Sequence, residues 1–176
     1  MKTLLKLVVG LLAAPLVLAA LVIAAGLFLP REHRVTRTLH LQAAPARVWA
    51  AVSDHAKDPT WRPEVAETVR LADREGQPVW EDRYRNGQRI AYRTLASEPP
   101  ARLVRRIVDQ TRFGGTWTYD LAPEGAGTRL RITEEGWVGV PFRVLAKVVI
   151  GHATTLEAYE RALAQHLGEG AAPRAE

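Results

Sequence analysis

The sequence predicts an α+β domain: a seven-stranded antiparallel sheet wrapped around one long C-terminal helix, with a transmembrane helix in front of it. Three observations predict this arrangement. Seven segments between residues 33 and 135 alternate apolar and polar side chains with the period of two that is typical of strands. Short turn sequences separate the last six of these segments, as in an antiparallel meander. After residue 139 the apolar spacing changes to that of a helix.

The N-terminal residues 7–29 form a run of 23 residues without a charged side chain. At about 1.5 Å per residue this run reaches roughly 34 Å, enough to cross a hydrocarbon core of about 30 Å. A cleaved signal peptide is the alternative, since Lys2 and Lys6 form a basic start. The apolar part of a signal peptide is normally only about 7–15 residues long, however. Residues 1–30 are therefore predicted to be a membrane anchor, and the short lysine-bearing tail favours export of the domain behind it.

Composition limits the function of the predicted globular domain, residues 31–168, which a disordered tail at 169–176 is expected to follow. The chain has no cysteine, which excludes disulfides, thiolate metal sites and a cysteine nucleophile. The net charge is +5, but basic and acidic side chains alternate along the predicted strands, as at 81–85. No basic cluster with interleaved aromatic residues occurs, so we expect no nucleic-acid partner.

The domain begins with a strand and a short helix. Residues 33–41 alternate strictly, with Val35 and Leu39 on one side of the strand. Pro45 suits the first turn of a helix, which is predicted to end near Ser53. Residues 55–63 then predict a polar connection that contains two prolines and one tryptophan.

Six strands follow this connection. They are predicted at residues 65–72, 79–85, 88–96, 103–111, 116–121 and 128–135. Asn86-Gly87 is the strongest turn signal among the loops, because this pair favours the two-residue turns of tight hairpins. Hairpins this short indicate that neighbouring strands run antiparallel.

The last element is an amphipathic helix of about 25 residues. Its apolar stripe consists of Phe142, Leu145, Val149, Leu156, Leu163 and Leu167. Gly168 is a natural end for this helix. Only this helix is long enough to cover the apolar face of the sheet, and a sheet that wraps around one helix tends to leave an apolar cavity.

Four short segments resemble the START-like superfamily, also called the SRPBCC or polyketide cyclase/dehydrase group. They are Ala44–Trp49, Trp61–Pro63, Gly115–Tyr119 and Gly127–Leu130. The likeness covers roughly residues 33–168. It implies a helix-grip fold with an internal pocket for hydrophobic ligands. It implies no single chemistry, because this superfamily mixes lipid carriers, hormone receptors and cyclases, and it supplies no universal catalytic residue.

Strand parity identifies the side chains that are expected to face the pocket. The inward positions on the strands are Trp80, Asp82, Tyr84, Tyr92, Trp117, Tyr119 and Glu134. His152 joins them because it lies on the apolar stripe of the long helix. A buried Asp82 or Glu134 could act as an acid or base, or could simply pair with an arginine. In the same way, His152 is either a ligand contact or an ordinary core histidine.

Other chemical motifs are missing from the sequence. The five histidines show no metal-ligand spacing, the glycines of residues 125–127 do not form a dinucleotide loop, and neither serine lies in a nucleophile elbow. We therefore expect no metal and no cofactor, and assign no catalytic residue.

The sequence leaves three functions open. The first is binding or transfer of a hydrophobic, lipid-like small molecule by a membrane-anchored domain. The second is a cyclase- or dehydratase-type enzyme that uses Asp82, Glu134, Tyr84 or His152 as acid and base. The third is an interaction module whose pocket is vestigial.

Overall fold

The computed structural model describes residues 15, 17, 18, 20–145 and 153–169. The seven strands are β1 Glu32–Leu41, β2 Val65–Arg74, β3 Gln77–Tyr84, β4 Arg89–Glu98, β5 Arg102–Val108, β6 Phe113–Glu124 and β7 Gly127–Val138. The helices are α1 Pro45–Ser53, α2 Asp58–Trp61, α3 Val140–Leu145 and α4 Ala153–His166, with a 3-10 turn at His55–Lys57.

All seven strands belong to one sheet, in the order β1-β7-β6-β5-β4-β3-β2, and every neighbouring pair is antiparallel. The predicted α+β architecture, a seven-stranded antiparallel sheet with a C-terminal helix, is therefore confirmed. Strands β2 to β7 follow each other as a meander, and β1 closes the far side by pairing with β7. Strands β6 and β7 are longer than expected, because their pairing continues to the turn, where Glu124 lies opposite Gly127.

The hairpin between β3 and β4 forms at the Asn-Gly pair, as predicted. Gly87 has a φ of +85°, a backbone conformation that is costly for residues with a Cβ atom. Its N–H donates to the Tyr84 carbonyl over 2.9 Å, and the Asn86 side-chain oxygen accepts the Gln88 N–H over 2.9 Å. These local bonds hold the turn, and thereby align the two strands that carry much of the site described below.

Helices α1 and α4 pack on one face of the sheet, which we call the inner face. The side chains that are completely buried between these helices and the sheet include Leu39, Val48, Leu130, Ile132, Leu156 and Leu163. Burying a side chain of this size stabilises a fold by about 1.5–3 kcal/mol. Within α4, the apolar stripe that was predicted for the last helix therefore lies in the core.

Two helices, α3 and α4, lie where one long C-terminal helix is predicted from the sequence. Residues 146–152 lie outside the described residues, and the predicted ligand residue His152 lies among them. Gly168 follows α4 with a φ of +77° and donates its N–H to the Gln165 carbonyl over 3.0 Å. The predicted end of the helix is therefore confirmed.

The segment expected to be a polar connection is more ordered than predicted. Residues 55–61 form the 3-10 turn and α2, and they bury His55, Asp58 and Trp61. The physical reason is that these side chains find their partners in tertiary contacts that no local sequence pattern reveals. Helix α2 therefore covers part of the inner face, beside β2.

The N-terminal segment is helical at residues 20–28 and adjoins α3. The Arg143 Nη1 donates to the Gly26 and Leu29 carbonyls, each over 3.2 Å. A Cβ atom on Gly26 would collide with the Val140 carbonyl, so only glycine permits this approach. Among the described residues, no helix is both long enough and apolar enough to span a membrane.

Candidate functional site

The register of the strands places the predicted site residues together on the inner face. Trp80 lies opposite Tyr92, and Trp117 lies opposite Glu134. Opposed residues in an antiparallel pair point to the same face, so these side chains are neighbours. All seven predicted strand residues lie on this face: Trp80, Asp82, Tyr84, Tyr92, Trp117, Tyr119 and Glu134. Their roles in ligand binding stay a prediction.

The site is organised by a buried arginine that the sequence analysis did not identify. Arg62, just after α2, is 6% exposed. Its Nη1 donates to Asp58 Oδ2 over 3.1 Å and to Asp82 Oδ2 over 2.8 Å. Its Nη2 donates to the Tyr84 hydroxyl over 3.2 Å, and its Nε donates to Glu64 over 3.0 Å. One guanidinium therefore joins the segment around α2 to strand β3.

Asp82 is bound on both of its oxygens. Its Oδ2 accepts from Arg62, and its Oδ1 accepts from the Thr68 hydroxyl over 3.1 Å. Tyr84, two residues later, shares a hydrogen bond of 3.1 Å with the hydroxyl of Tyr92. Asp82 therefore lies in an ion pair with Arg62, and its role in the site stays a prediction.

Burial controls protonation in this cluster. Burial is the largest effect on Asp58 and raises its pKa from 3.8 to about 6, although Arg105 and Arg62 act in the opposite direction. Burial likewise lowers the pKa of His55 from 6.5 to about 2, and the same two arginines add to this shift. Burial also raises the pKa of Tyr92 well above its ordinary value. At neutral pH His55 is uncharged and the Tyr92 phenol keeps its proton.

The pKa shifts of His55 and Asp58 predict an unusual dependence of the free energy of unfolding on pH. The neutral His55 stabilises the fold above pH 6.5, and this contribution is lost as the pH falls toward 2. Asp58 has a raised pKa, so its favourable contribution is present below pH 3.8 and is lost as the pH rises through about 6. Between pH 4 and pH 6 the two contributions change in opposite directions and largely cancel.

Single substitutions should expose each contribution. On lowering the pH from 6 to 4, Asp58→Asn should lose about 2 kcal/mol of unfolding free energy relative to the wild type, and His55→Gln should gain about 2 kcal/mol. Urea unfolding at pH 4, 5 and 6 measures both slopes. Parallel curves for all three proteins would show that these groups do not titrate as described.

An aromatic cluster within the core packs beside the polar groups. The ring centroid of Tyr159, on α4, lies 5.2 Å from Trp61, 5.8 Å from Trp117 and 5.7 Å from Tyr119. The guanidinium of Arg62 lies 5.6 Å from the same ring. The inner face therefore combines many aromatic side chains with buried polar groups, the composition that is typical of small-molecule sites.

Glu134 lies apart from the polar cluster around Arg62 and has its own partner. Its Oε1 is 3.4 Å from the Nε2 of His33, and both side chains are mostly buried. The His33 ring occupies the space above Gly136, where a Cβ atom would come within 2.6 Å of the ring. The other carboxylate oxygen of Glu134 has no hydrogen-bond partner among the residues that the structure describes.

Arg105 is a further buried polar residue of the inner face. It lies on β5 opposite Trp117 and is 4% exposed. Its guanidinium lies 4.5 Å from the centroid of the Tyr92 ring, a cation–π distance, and its Nη1 is 3.8 Å from Asp58. The sequence does contain a signal for it, because Arg105 alternates in phase with the apolar Leu103 and Ile107.

A hollow of about 190 Å³ lies where the N-terminal segment meets the domain. Its lining consists of Leu29, Pro30, Arg31, Glu32, His33, Val138 and Arg143. His33 is thus shared between this hollow and the Glu134 side of the inner face.

Comparison with known proteins gives one family and several similar folds. Residues 32–166 match the family described as polyketide cyclase/dehydrase and lipid transport. A START superfamily protein from Mycobacterium smegmatis is 22% identical, with a TM-score of 0.61 over 78% of this chain and 98% of that chain. Norcoclaurine synthase from Thalictrum flavum is 13% identical, with a TM-score of 0.61 over 80% and 96%. No curated protein sequence matches this chain.

The di-domain ARO/CYC protein StfQ of the steffimycin biosynthetic pathway is also similar in fold. It is 13% identical, with a TM-score of 0.63 over 79% of this chain. This chain spans 52% of the length of StfQ, about half of that two-domain protein.

Proposed function

This chain belongs to the polyketide cyclase/dehydrase and lipid transport family, and we propose that it binds a hydrophobic, lipid-like small molecule against the inner face of its sheet. The observation that carries the proposal is the set of apolar and aromatic side chains there that stay half-buried. They include Val35, Tyr92 and Ile107, which lie on β1, β4 and β5. A bound apolar molecule would remove their remaining surface from water, at about 25 cal/mol for each Å².

We also propose that residues 7–29 hold the protein at a membrane. In support, large apolar side chains of the N-terminal segment are exposed: Val17, Leu18, Leu21, Ile23, Leu27 and Phe28. Exposed apolar surface of this extent is characteristic of a membrane or protein contact. We infer an orientation with the ligand-binding domain on the exported side, because the short lysine-bearing tail before the run resembles an uncleaved signal.

The hollow at the base of the N-terminal segment supports the two proposals jointly. It lies beside the residues proposed to enter the membrane, and its wall residue His33 also borders the inner face. A lipid-like molecule that leaves the bilayer at this point would have a short path to the proposed binding surface.

A pocket-filling substitution tests ligand binding directly. Ile107→Trp should weaken the binding of an apolar fluorescent probe at least tenfold while costing little stability, because an added ring occupies space that the ligand uses. In a packed core the same overfilling would cost about 1–3 kcal/mol. The matched control is Val104→Trp, on the same strand but the opposite face, which should leave probe affinity unchanged. If the probe does not bind the wild type, the interaction module becomes the preferred function.

An enzyme is the second candidate, favoured by the Glu134 oxygen that lies near His33 and has no partner among the described residues. A carboxylate next to an imidazole can accept and return a proton. Under our proposal of binding without turnover, ligand recovered from the wild type and from Glu134→Gln should have the same mass, measured by mass spectrometry. A dehydratase would instead leave the variant loaded with a precursor heavier by one water molecule. Glu135→Gln, exposed on the opposite face, is the matched control.

A further inference from the structure

Arg105 has one edge of its guanidinium without a partner. The atoms Nε and Nη2 have no hydrogen-bond acceptor within the part of the chain that the structure describes, although the residue is 4% exposed. Removing N–H donors of a charged group from water without replacing their hydrogen bonds is costly. The fold therefore keeps a buried cation with two donor atoms, Nε and Nη2, for which no described residue supplies an acceptor.

The nearby carboxylates do not fill this gap, because they are bound to Arg62. Asp82 is 2.8 Å and Asp58 is 3.1 Å from Arg62 Nη1, whereas Asp58 is 3.8 Å from Arg105 Nη1. Arg62 also forms an ion pair with a third carboxylate, that of Glu64. Arg105 thus feels the negative charge of its neighbours but forms no hydrogen bond with them. An anion bound at this edge would meet two N–H donors that no described residue uses.

The unused atoms define the shape of the missing partner. Nε and Nη2 point their N–H groups in parallel from one edge of the planar guanidinium, the arrangement that holds both oxygens of a carboxylate. The Nη1 toward Asp58 is not part of this edge. The Tyr92 ring beneath the guanidinium and Trp117 on the neighbouring strand supply apolar surface around it.

We propose that Arg105 binds the carboxylate of the ligand, so that the molecule held on the inner face is a hydrophobic carboxylic acid rather than a neutral lipid. This inference rests on the proposed function and adds the chemical class of the ligand. The apolar part of the molecule lies along the aromatic and aliphatic side chains of the inner face, and its carboxylate replaces the hydrogen bonds that Arg105 lacks.

The test compares a fatty acid with its methyl ester. The full-length chain in detergent is titrated with 12-(9-anthroyloxy)stearic acid and with its methyl ester, each corrected for partition into detergent alone. The wild type should bind the acid about tenfold to a hundredfold more tightly, the range expected for hydrogen bonds between charged groups. Arg105→Met should reduce this ratio to about one with little change in ester affinity. Arg106→Met, the exposed neighbour on the opposite face, should retain the full ratio.

Several outcomes would overturn the assignment. An acid-to-ester ratio near one in the wild type would do so without any variant, which matters if Arg105→Met fails to fold. A ratio that persists in a folded Arg105→Met would show that another group binds the carboxylate. Arg105→Lys adds a graded readout, since it keeps the charge but loses the paired donors, and it should retain only part of the preference. Tighter binding of a lysophosphatidic acid than of the fatty acid would show that the site prefers a phosphate to a carboxylate.

Failure of the proposed function gives a different result. If neither the acid nor the ester binds the wild type, the inner face is not a site for such molecules, and the inference about Arg105 falls with it. If both bind equally, hydrophobic binding stands and only the assignment of Arg105 is lost.

Discussion

Replacing Arg62 with methionine should lower the free energy of unfolding by about 3–5 kcal/mol, because the carboxylates of Asp58 and Asp82 would remain buried without their main donor. Asp82 is completely buried, so water cannot replace the lost hydrogen bonds without opening the structure. Urea unfolding at pH 7 measures the change. Arg106→Met is the control for loss of an arginine, and should change stability by no more than about 0.5 kcal/mol.

A second variant distinguishes the broken ion pairs from a simple packing defect. Adding Asp58→Asn and Asp82→Asn to Arg62→Met removes the buried negative charges, and should recover part of the lost stability. No recovery in the triple variant would indicate that Arg62 matters through its contacts with Tyr84 and Tyr159 instead of through its charge.

Tyr159→Ala should cost a similar amount, about 3–5 kcal/mol, since its ring joins α4 to the rest of the aromatic cluster. Tyr159→Phe keeps the ring and should retain most of the stability. Thermal unfolding of both variants, followed by near-ultraviolet circular dichroism, reports the loss of aromatic packing. A Tyr159→Ala protein as stable as the wild type would show that α4 is held mainly by its leucine stripe.

Much of the fold could be predicted because its signals are local. The alternation along β1, the Asn86-Gly87 turn and the Pro45 start of α1 each depend on neighbouring residues, and the structure agrees with all three. The inner positions of the strands follow from the same period of two. The lengths of β6 and β7 were underestimated, because the pairing of Glu124 with Gly127 is decided between strands and not within one.

The polar cluster could not be predicted for the opposite reason. Arg62 and Asp82 are 20 residues apart, and only the tertiary structure brings them within 2.8 Å. Trp61 and Arg62 lie in a segment that reads as a polar connection, since burial of charged groups leaves no periodic signal. Arg105 did share the alternation of its apolar neighbours, but a charged residue in an apolar phase is ordinarily assigned to solvent. The ligand residues proposed from parity alone stay a prediction, as does the anchor at residues 1–30.

Hydrophobic-ligand binding is tested most directly by native mass spectrometry of the full-length chain extracted from the membranes of its own host. The expected result is a chain that carries one small molecule, which denaturation releases and which proves to be an apolar carboxylic acid. Ile107→Trp, prepared in the same way, should lack this molecule, and Val104→Trp should retain it. A wild-type chain that is always free of bound small molecules, and that also fails to bind the fatty acid and its ester, would contradict the proposed function.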